Sequence, residues 1–373
     1  MHFTFFVHSL LSDWNHGNAH FLRGVATELQ SRGHAVRVWE PTDAWSVQNL
    51  VIDHGAEALE GVRHAYPTLE SLRYRESALD LDEALGDTDV VIVHEWNTHD
   101  LVRRLGEHRA RISGYVLLFH DTHHRSVSEP HAMAAYDLSE YDGVLAFGEV
   151  IRQRYLEHGW AAGAWTWHEA ADVRVFKPIT NQESRIKNDV VWVGNWGDDE
   201  RRAELREFLI EPVRRVGARA TVHGVRYPQD ALDALRDGGI TYAGWLPNYR
   251  VPEVFADHLA TVHVPRRPYV EALPGIPTIR PFEALACGIP LVSAPWHDSE
   301  GLFRAGTDYL VACDGDEMTG HLRDVLNDAA LRASLSAHGR ETILSRHTCA
   351  HRVDELLAIV GSVAPHASEV LTT

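Results

Sequence analysis

The sequence predicts an α/β protein with two doubly wound domains, one following the other along the chain. Short apolar runs alternate with amphipathic helical patterns, and this alternation occurs twice, from residue 3 to 148 and from 189 to 313. A chain of 373 residues is too long for a single domain with one ordinary hydrophobic core, and it suits two domains of about 150–200 residues each. Between the two series, residues 168–188 are polar and contain a proline, as a linker would.

The first series begins with a buried strand at residues 3–10, followed by a polar loop. The next helix carries Phe21, Val25 and Leu29 at every fourth position, and Gly33 ends it. Helices inserted between strands are expected after that, over residues 42–85. Further strands are predicted at 35–41, 89–94, 114–120 and 143–148.

The second series ends in consecutive helices at residues 316–363. Its strands are predicted at 189–196, 218–224, 240–245, 260–265, 289–294 and 308–313. We therefore place the first domain at 1–175 and the second at 176–350. A C-terminal helix with a frayed tail, residues 351–373, is expected to return to the first domain.

Composition excludes several classes of protein. A net charge of −18 argues against a nucleic-acid partner, because non-specific binding needs a basic face. No apolar run reaches the length of about 18 residues that a transmembrane helix requires. The N-terminus lacks the basic region of a signal peptide. Cys287, Cys313 and Cys349 are too dispersed for a disulfide or metal framework, so we expect a cytoplasmic location.

The stretch GIPTIRPFEALACGIPLVSAP, residues 275–295, carries the most chemical information. We expect Glu283 to open a short helix that ends at Gly288. A carboxylate there is also explained by the helix dipole alone. However, the preceding loop, LPGIPTIRP, contains three prolines and a glycine, and rigid amides at a helix N-terminus bind phosphate. With a carboxylate to accept from ribose hydroxyls, the stretch fits a nucleoside diphosphate.

A histidine cluster, FHDTHHRS at residues 119–126, raises the question of a metal site. Metal binding requires three or four ligands that converge on one point. On an irregular loop, His120, His123 and His124 need not converge, and neither a cysteine nor a second acidic cluster completes the set. We therefore predict no metal site. The stretch instead follows a strand, where α/β proteins place ligand-binding residues.

The segment EALACGIPLV resembles the nucleotide-sugar signature of retaining GT-B glycosyltransferases of the family 4 type. The wider phrase PTIRPFEALACG is closer to bacterial CgeB-like glycosyltransferases. The resemblance covers nearly the whole chain. It extends through HGNAHFLRGVATELQSRGHAVRV, DVVIVHEWN, LLFHDTHH, DVRVFKP and ITYAGWLPNYRVPEVF, in the family's order.

This resemblance implies a GT-B fold, in which two Rossmann-like domains face each other across a cleft. The first domain would bind the acceptor and the second the donor. The implied reaction is hexosyltransferase-like: a sugar moves from a nucleoside-diphosphate sugar to a small-molecule, glycan or protein acceptor. UDP is the expected nucleotide, with GDP or dTDP as alternatives. The resemblance further implies a retaining, metal-independent mechanism with no permanently bound cofactor.

The resemblance also implies roles for residues of the second domain. Glu283 would bind the ribose hydroxyls, and the amides of Ala284 and Leu285 would face the diphosphate. Thr278, in the preceding loop, would also bind the donor. The segment that would contact the base is Gly244, Trp245 and Leu246.

Residues of the first domain receive roles in the same way. Gly17 and Asn18 would approach the donor phosphates or the acceptor. His120 would contact the transferring sugar. If the reaction instead inverts configuration, it needs a base, and Asp121 or His123 would be the candidates.

Two positions depart from the family pattern. The family has a second carboxylate eight positions before Glu283, where this chain has Gly275, and the nearest acid is Glu271. The family also has an arginine and a lysine that neutralise the diphosphate. Asn195 stands in the arginine position, and Arg201 is displaced from the lysine position. The missing positive charge would be supplied by Arg266, Arg267 and Arg280, and Arg280 would also have a catalytic role.

Two other functions remain open at this point. Gly275 in place of a carboxylate also suits a GT-B protein that binds a nucleotide sugar without catalysis. A nucleotide-sugar epimerase is a further alternative. A dinucleotide oxidoreductase is disfavoured, because no G-x-G-x-x-G motif follows the first strand.

Overall fold

The computed structural model describes residues 1–179 and 188–363. The chain forms two compact units. The first comprises Met1–Ser12, Leu22–His168 and the described residues from Ala350 onward. The second comprises Asp13–Phe21 and the described part of Glu169–Cys349. Residues 13–21, within our predicted first domain, thus belong to the second unit. The predicted frayed tail and residues 180–187 of the predicted linker lie outside the described residues.

The first unit is built on a parallel sheet in the order β3-β2-β1-β4-β5-β6-β7. Its strands are β1 (His2–Phe6), β2 (Ala35–Pro41), β3 (Ser71–Tyr74), β4 (Val90–His94), β5 (Val116–Asp121), β6 (Gly143–Ala146) and β7 (Ala164–Thr166). The central strands β4 and β5 are buried along their whole length, as expected for a parallel sheet covered on both faces.

Helices connect these strands and cover the sheet. They are α1 (Ala19–Ser31), α2 (Trp45–His54), α3 (Ala58–Ala65), α4 (Leu81–Leu85), α5 (His99–Arg111), α6 (Arg125–Ser128), α7 (Pro130–Ala134) and α8 (Glu149–Glu157). The helix that begins at Cys349 attaches to this unit, since the indole Nε1 of Trp167 donates to the Arg352 carbonyl at 2.8 Å.

The second unit has a parallel sheet in the order β10-β9-β8-β11-β12-β13. The strands are β8 (Asn188–Val193), β9 (Ala220–His223), β10 (Ile240–Tyr242), β11 (His258–His263), β12 (Leu291–Ser293) and β13 (Leu310–Val311). The helices are α9 (Arg202–Leu205), α10 (Glu211–Val216), α11 (Gln229–Asp237), α12 (Val251–Ala256), α13 (Arg267–Ala272), α14 (Ile279–Cys287), α15 (Gly315–Asn327) and α16 (Ala329–Arg346). Helix α17 (Cys349–Val363) begins in this unit, and its residues from Ala350 onward belong to the first unit.

The predicted fold class is confirmed in both units, because each is a parallel, doubly wound sheet with helices between its strands. In each sheet the chain builds outward on one side of its first strand and then crosses to the other side. The strand order therefore reverses between β1 and β4 in the first sheet and between β8 and β11 in the second. Ligands of such sheets bind outside the carboxyl ends of the strands at this reversal.

The boundaries differ from the predicted ones at several strands. β1 ends at Phe6 and not at residue 10. The amide of Leu10 donates a hydrogen bond to the Glu40 carboxylate at 2.6 Å and not to a neighbouring strand, so the chain continues as a loop. The edge strands β3 and β7 were not predicted. They have four and three residues, too short for an alternating pattern to show.

Candidate functional site

A pocket lies at the carboxyl end of the second sheet, beside the strand-order reversal. Its wall includes Val193, the last residue of β8, and the two residues that follow it. Predicted site residues that line the pocket are Gly17, Asn195, Trp245, Leu246 and Arg280. Because Asp13–Phe21 folds with this unit, the pocket is formed entirely within it.

Glu283 is fully buried beside this pocket and has three donors. Its Oε1 accepts from Nδ1 of His20 at 2.8 Å and from Nδ2 of Asn248 at 2.7 Å, while Oε2 pairs with Arg280. Burial opposes ionisation of Glu283, but the charge of Arg280 and the two hydrogen bonds outweigh it and lower its pKa. A buried, ionised carboxylate is therefore available at the pocket.

The proton on His20 can be located from its neighbours. The amide N–H of Asp172 donates to His20 Nε2 at 2.8 Å, so Nε2 must be an acceptor. Nδ1 then carries the proton and donates it to Glu283. The ring is completely buried and stacks on Phe176 with centroids 3.9 Å apart, which fixes its orientation. His20 is thus a neutral, positioned donor.

The helix that carries Glu283 starts earlier than predicted. It begins at Ile279, so Glu283 is in its second turn and does not open it. This overturns the role expected for the amides of Ala284 and Leu285. Only the first four amides of a helix lack intrahelical acceptors, and these two lie beyond them. Their side chains belong to the hydrophobic core.

The start of α14 is strained at Thr278, the residue before the helix. Its φ of 61° and ψ of −179° form a combination normally restricted to glycine. In the described residues, the other non-glycine residues with positive φ are Asn15 and Arg226. Asn15 lines the pocket, and Arg226 follows Val225, which also lines it. Strain of this kind concentrates at functional sites.

A carboxylate fixes the predicted base-binding segment from the other side of the pocket. The two oxygens of Asp13 accept from Trp245 Nε1 and from the Asn248 amide, both at 3.1 Å. Gly244, with φ of 74°, lets the chain turn, and its carbonyl accepts from Gly224 at 2.9 Å. The Trp245 ring and the adjoining backbone are therefore held in place.

Asn195 has a structural function in the same pocket. Its Oδ1 accepts from the Val225 amide at 2.9 Å, and its Nδ2 donates to Asn15. Both polar atoms of this amide thus join loops of the pocket wall. Asn195 cannot replace the charge of an arginine, so any charge for a diphosphate must come from elsewhere.

The predicted arginines have different surroundings. Arg201 donates to the Val264 carbonyl at 3.1 Å and stacks over Trp192, and its burial lowers its pKa to about 9. Arg266 forms an ion pair with Glu200 at 2.6 Å, and Arg267 forms one with Glu204 at 3.0 Å. Arg280 is the one of these four that lines the pocket. Among the predicted arginines, the geometry therefore favours Arg280 as a ligand for phosphate.

A second buried carboxyl group, Glu169, was not predicted. Its Oε1 accepts from Nδ2 of Asn18 at 3.1 Å, and the residue is 5% exposed. Burial and the negative charge of Glu283 raise the pKa of Glu169 to about 8, although Arg280 opposes this shift. At neutral pH, Glu169 is therefore predominantly a neutral acid, which can donate a hydrogen bond.

In the first unit, His120 and Asp121 are the last two residues of β5 and not the start of a loop. Burial lowers the pKa of His120 to about 3, so its ring is neutral. Asp121 is completely buried and accepts from the Tyr155 hydroxyl at 2.9 Å and the His123 amide at 3.1 Å. Burial raises the pKa of Asp121 to about 6.

Asp121 has a buried acidic neighbour, Glu95. Burial and the charge of Asp121 raise the pKa of Glu95 well above its usual value.

Across residues 1–179 and 188–363, no group of three His, Cys, Asp or Glu side chains is arranged to hold a metal ion. Within the same residues, no helix has the length and apolar character needed to cross a membrane.

Comparison with known proteins places this site in context. Residues 201–358 match a family model described as "Glycosyl transferase-like". This match covers the pocket residues Trp245, Asn248 and Arg280 as well as Glu283 beside them, and it confirms the prediction of an enzyme of the glycosyltransferase class. A search of curated proteins found no match.

Solved structures share the fold over nearly the whole chain. Sucrose-phosphate synthase from Thermosynechococcus elongatus is 12% identical, with a TM-score of 0.65 over 97% of this chain and 99% of that one. Anabaena Alr3699/HepE in complex with UDP-glucose is 13% identical, with a TM-score of 0.66 over 97% and 100%. An alpha-glucosyltransferase in complex with UDP and a 13-mer DNA is 11% identical, with a TM-score of 0.70 over 96% and 98%. These neighbours confirm the predicted GT-B fold.

Proposed function

We propose that this protein is a glycosyltransferase of the family 4 type that transfers a sugar from a UDP-sugar. The second unit would bind the donor and the first unit the acceptor. One observation carries the proposal: Arg280, at the start of α14, lines the pocket at the end of the second sheet and pairs with the buried carboxylate of Glu283 directly behind it. The neighbours that bind UDP or UDP-glucose on the same fold support UDP as the nucleotide.

Binding of ribose to Glu283 requires a change of partner. A carboxylate offers about four lone-pair positions. His20 and Asn248 occupy both positions on Oε1, and Arg280 occupies one on Oε2. Two ribose hydroxyls need two positions, so we propose that Arg280 leaves Oε2 when the nucleotide binds. The released guanidinium then pairs with the diphosphate.

The start of α14 would contribute to the same diphosphate. The amides of Ile279 and Arg280 lie in the first turn of the helix and have no carbonyl partner in it, whereas Pro281 has no amide hydrogen. Negative charge is stabilised at a helix N-terminus. With Arg280, these donors would stabilise the charge that develops on the leaving group, which supports a metal-independent reaction.

A carboxylate near the sugar would come from Glu300. A Cβ atom built on Gly275 would lie 2.6 Å from Oε1 of Glu300, so this oxygen occupies the space of a side chain at position 275. We propose that Glu300 supplies the acid that the family pattern places at Gly275, and that the reaction retains configuration. Asp121 already accepts from the Tyr155 hydroxyl and the His123 amide, which makes it an unsuitable base for an inverting reaction, and His120 is the proposed sugar contact.

Calorimetric titration of UDP, GDP and dTDP into wild-type protein and Glu283→Gln tests the proposal. We expect UDP to bind most tightly and the variant to lose at least about tenfold in affinity, because a charged hydrogen-bond partner is removed. Glu211→Gln, an exposed carboxylate of the same unit, should bind UDP normally. Equal UDP affinity in wild type and Glu283→Gln would refute the ribose assignment.

Product analysis after incubation with UDP-glucose tests catalysis. Slow release of glucose is expected from a transferase that lacks its acceptor. An intact donor would indicate a non-catalytic binding protein, and an altered sugar still attached to UDP would indicate an epimerase.

A further inference from the structure

An exposed tryptophan stands at the reversal of strand order in the first sheet. β4, which ends at His94, lies directly beside β1 at this reversal, and Trp96 is the second residue after it. The carboxyl ends of strands at this position are where α/β sheets bind ligands. Trp96 is 36% exposed, although both of its neighbours, Glu95 and Asn97, are buried.

The loop that carries Trp96 is firmly attached on both sides. The Glu95 amide donates to the His120 carbonyl at 2.9 Å, and Nδ2 of Asn97 donates to the carbonyls of Phe6 and His94, both at 2.8 Å. The exposure of Trp96 therefore does not arise from a loose loop. The fixed backbone keeps part of the Trp96 ring exposed to solvent, at a position that could equally hold a polar side chain.

A buried cation lies against the ring of Trp96. The guanidinium carbon of Arg125 is 4.8 Å from the ring centroid, and Arg125 is 7% exposed. Its Nη1 donates to the Glu95 carbonyl at 3.2 Å and its Nε to Glu129 at 3.2 Å, so the guanidinium is itself fixed. Arg125 thus positions the indole from one side and leaves another part of the ring to solvent.

A polar ring stands at the edge of the indole. His123 makes an edge contact with Trp96, with centroids 5.3 Å apart and planes at 68°. The imidazole of His124 lies 4.0 Å from that of His123. Hydrogen-bonding nitrogens therefore adjoin a rigid apolar surface. This combination suits a ligand with an apolar face and polar edges.

We propose that Trp96 and His123 form an acceptor subsite for a pyranose ring, which makes the acceptor a carbohydrate. A pyranose presents C–H groups on its faces and hydroxyls around its rim, so its face would stack on the indole and a hydroxyl would bond to the imidazole. A lipid or an apolar peptide would require a wider apolar surface than one ring bordered by a histidine. This inference rests on the proposed function, because it names the acceptor class.

Saturation-transfer NMR with methyl glycosides tests the subsite. Wild-type protein with saturating UDP is titrated with methyl α- and β-pyranosides of glucose, galactose and mannose. We expect at least one to bind, and Trp96→Ala to lower its affinity at least about fivefold, the loss expected for one aromatic contact. Trp96→Phe keeps a ring and should stay within about threefold of wild type. A similarly exposed apolar residue, Leu156 of α8 (38% exposed), provides the control Leu156→Ala.

The outcomes separate this inference from the proposed function. Failure of every pyranoside to bind, while UDP binds normally, would overturn the subsite and leave donor binding intact. Equal binding of cyclohexanol, an apolar ring with one hydroxyl, would also overturn it, because the surface would then not distinguish sugars. If UDP fails to bind, the proposed function is wrong, and the same titrations without UDP still decide whether Trp96 binds a pyranose. Unchanged pyranoside affinity in Trp96→Ala would refute the role of this residue.

Discussion

His20 Nδ1 donates to Glu283 Oε1 at 2.8 Å, joining two buried residues that are 263 positions apart in the sequence. The contact is directional, because the Asp172 amide occupies the other ring nitrogen. The segment after β1 therefore supplies a neutral donor to the carboxylate of α14. This makes the start of α1 an integral part of the proposed nucleotide site.

Removal of this donor should weaken nucleotide binding. His20→Phe keeps a ring that can stack on Phe176 but leaves Glu283 without one hydrogen bond. We expect UDP affinity to fall at least about fivefold and the melting temperature to decrease, since a buried acceptor is left unsatisfied. His20→Asn, whose amide can donate from a position close to Nδ1, should recover part of both losses. Calorimetry and thermal unfolding measure the two effects, and wild-type values in His20→Phe would refute the contact.

Loss of Arg280 should weaken the binding of UDP but not that of uridine. Arg280→Met removes the proposed diphosphate partner, so UDP affinity should fall about tenfold or more. Uridine has no diphosphate and should bind equally well or more tightly, because Oε2 of Glu283 no longer has to give up a partner. Arg214→Met, an exposed arginine of the same unit, is the control. An equal loss for both ligands would show that Arg280 only supports the fold.

Glu300 should matter for turnover and not for nucleotide affinity. Glu300→Gln has the same shape but no charge, so we expect the hydrolysis of UDP-glucose to slow at least about tenfold. UDP affinity should remain within about twofold, because the proposed contact is with the sugar. The exposed carboxylate Glu317 gives a control variant, Glu317→Gln. Parallel loss of UDP binding and turnover in Glu300→Gln would place Glu300 with the nucleotide instead.

Glu169 should make the protein less stable at alkaline pH. Its pKa rises from the usual 4.5 to about 8 on folding, mainly through burial. Between these values the folded state holds a proton that the unfolded state has lost, so the free energy of unfolding decreases as pH rises through this range. Urea unfolding at pH 5, 7 and 9 measures the slope.

Glu169→Gln provides the reference for that slope, because it keeps the size of the side chain and cannot titrate. We expect the variant to lose less stability than wild type between pH 5 and 9. The buried carboxyls Glu95 and Asp121 remain in both proteins, so their contributions cancel in the difference. Identical slopes would contradict a raised pKa for Glu169.

The sheets could be predicted because their central strands are continuous apolar runs. Val90–His94 and Val116–Asp121 are buried throughout, and this leaves a clear signature in the sequence. The start of α14 could not be predicted in the same way. Pro281, in the third helical position, suggested a loop, whereas the helix already begins at Ile279.

The candidate site was predicted only in part, for a related reason. Glu283 and Arg280 lie in one informative stretch, so local chemistry indicated a nucleotide site there. His20, Asn248 and Glu169 become significant only through contacts with residues distant in the chain, and one sequence contains no record of such pairs. Tertiary structure brings them to Glu283 and to the residues around the pocket.

The assignment of Asp13–Phe21 to the second unit determines how the chain can be cut into fragments. A truncation that starts near residue 169 would contain every strand of the second sheet. It would still lack Asp13, which fixes Trp245, and His20, which serves Glu283. A donor-binding fragment therefore has to be assembled from two pieces of the gene, with the short N-terminal peptide supplied in trans or fused to the larger piece.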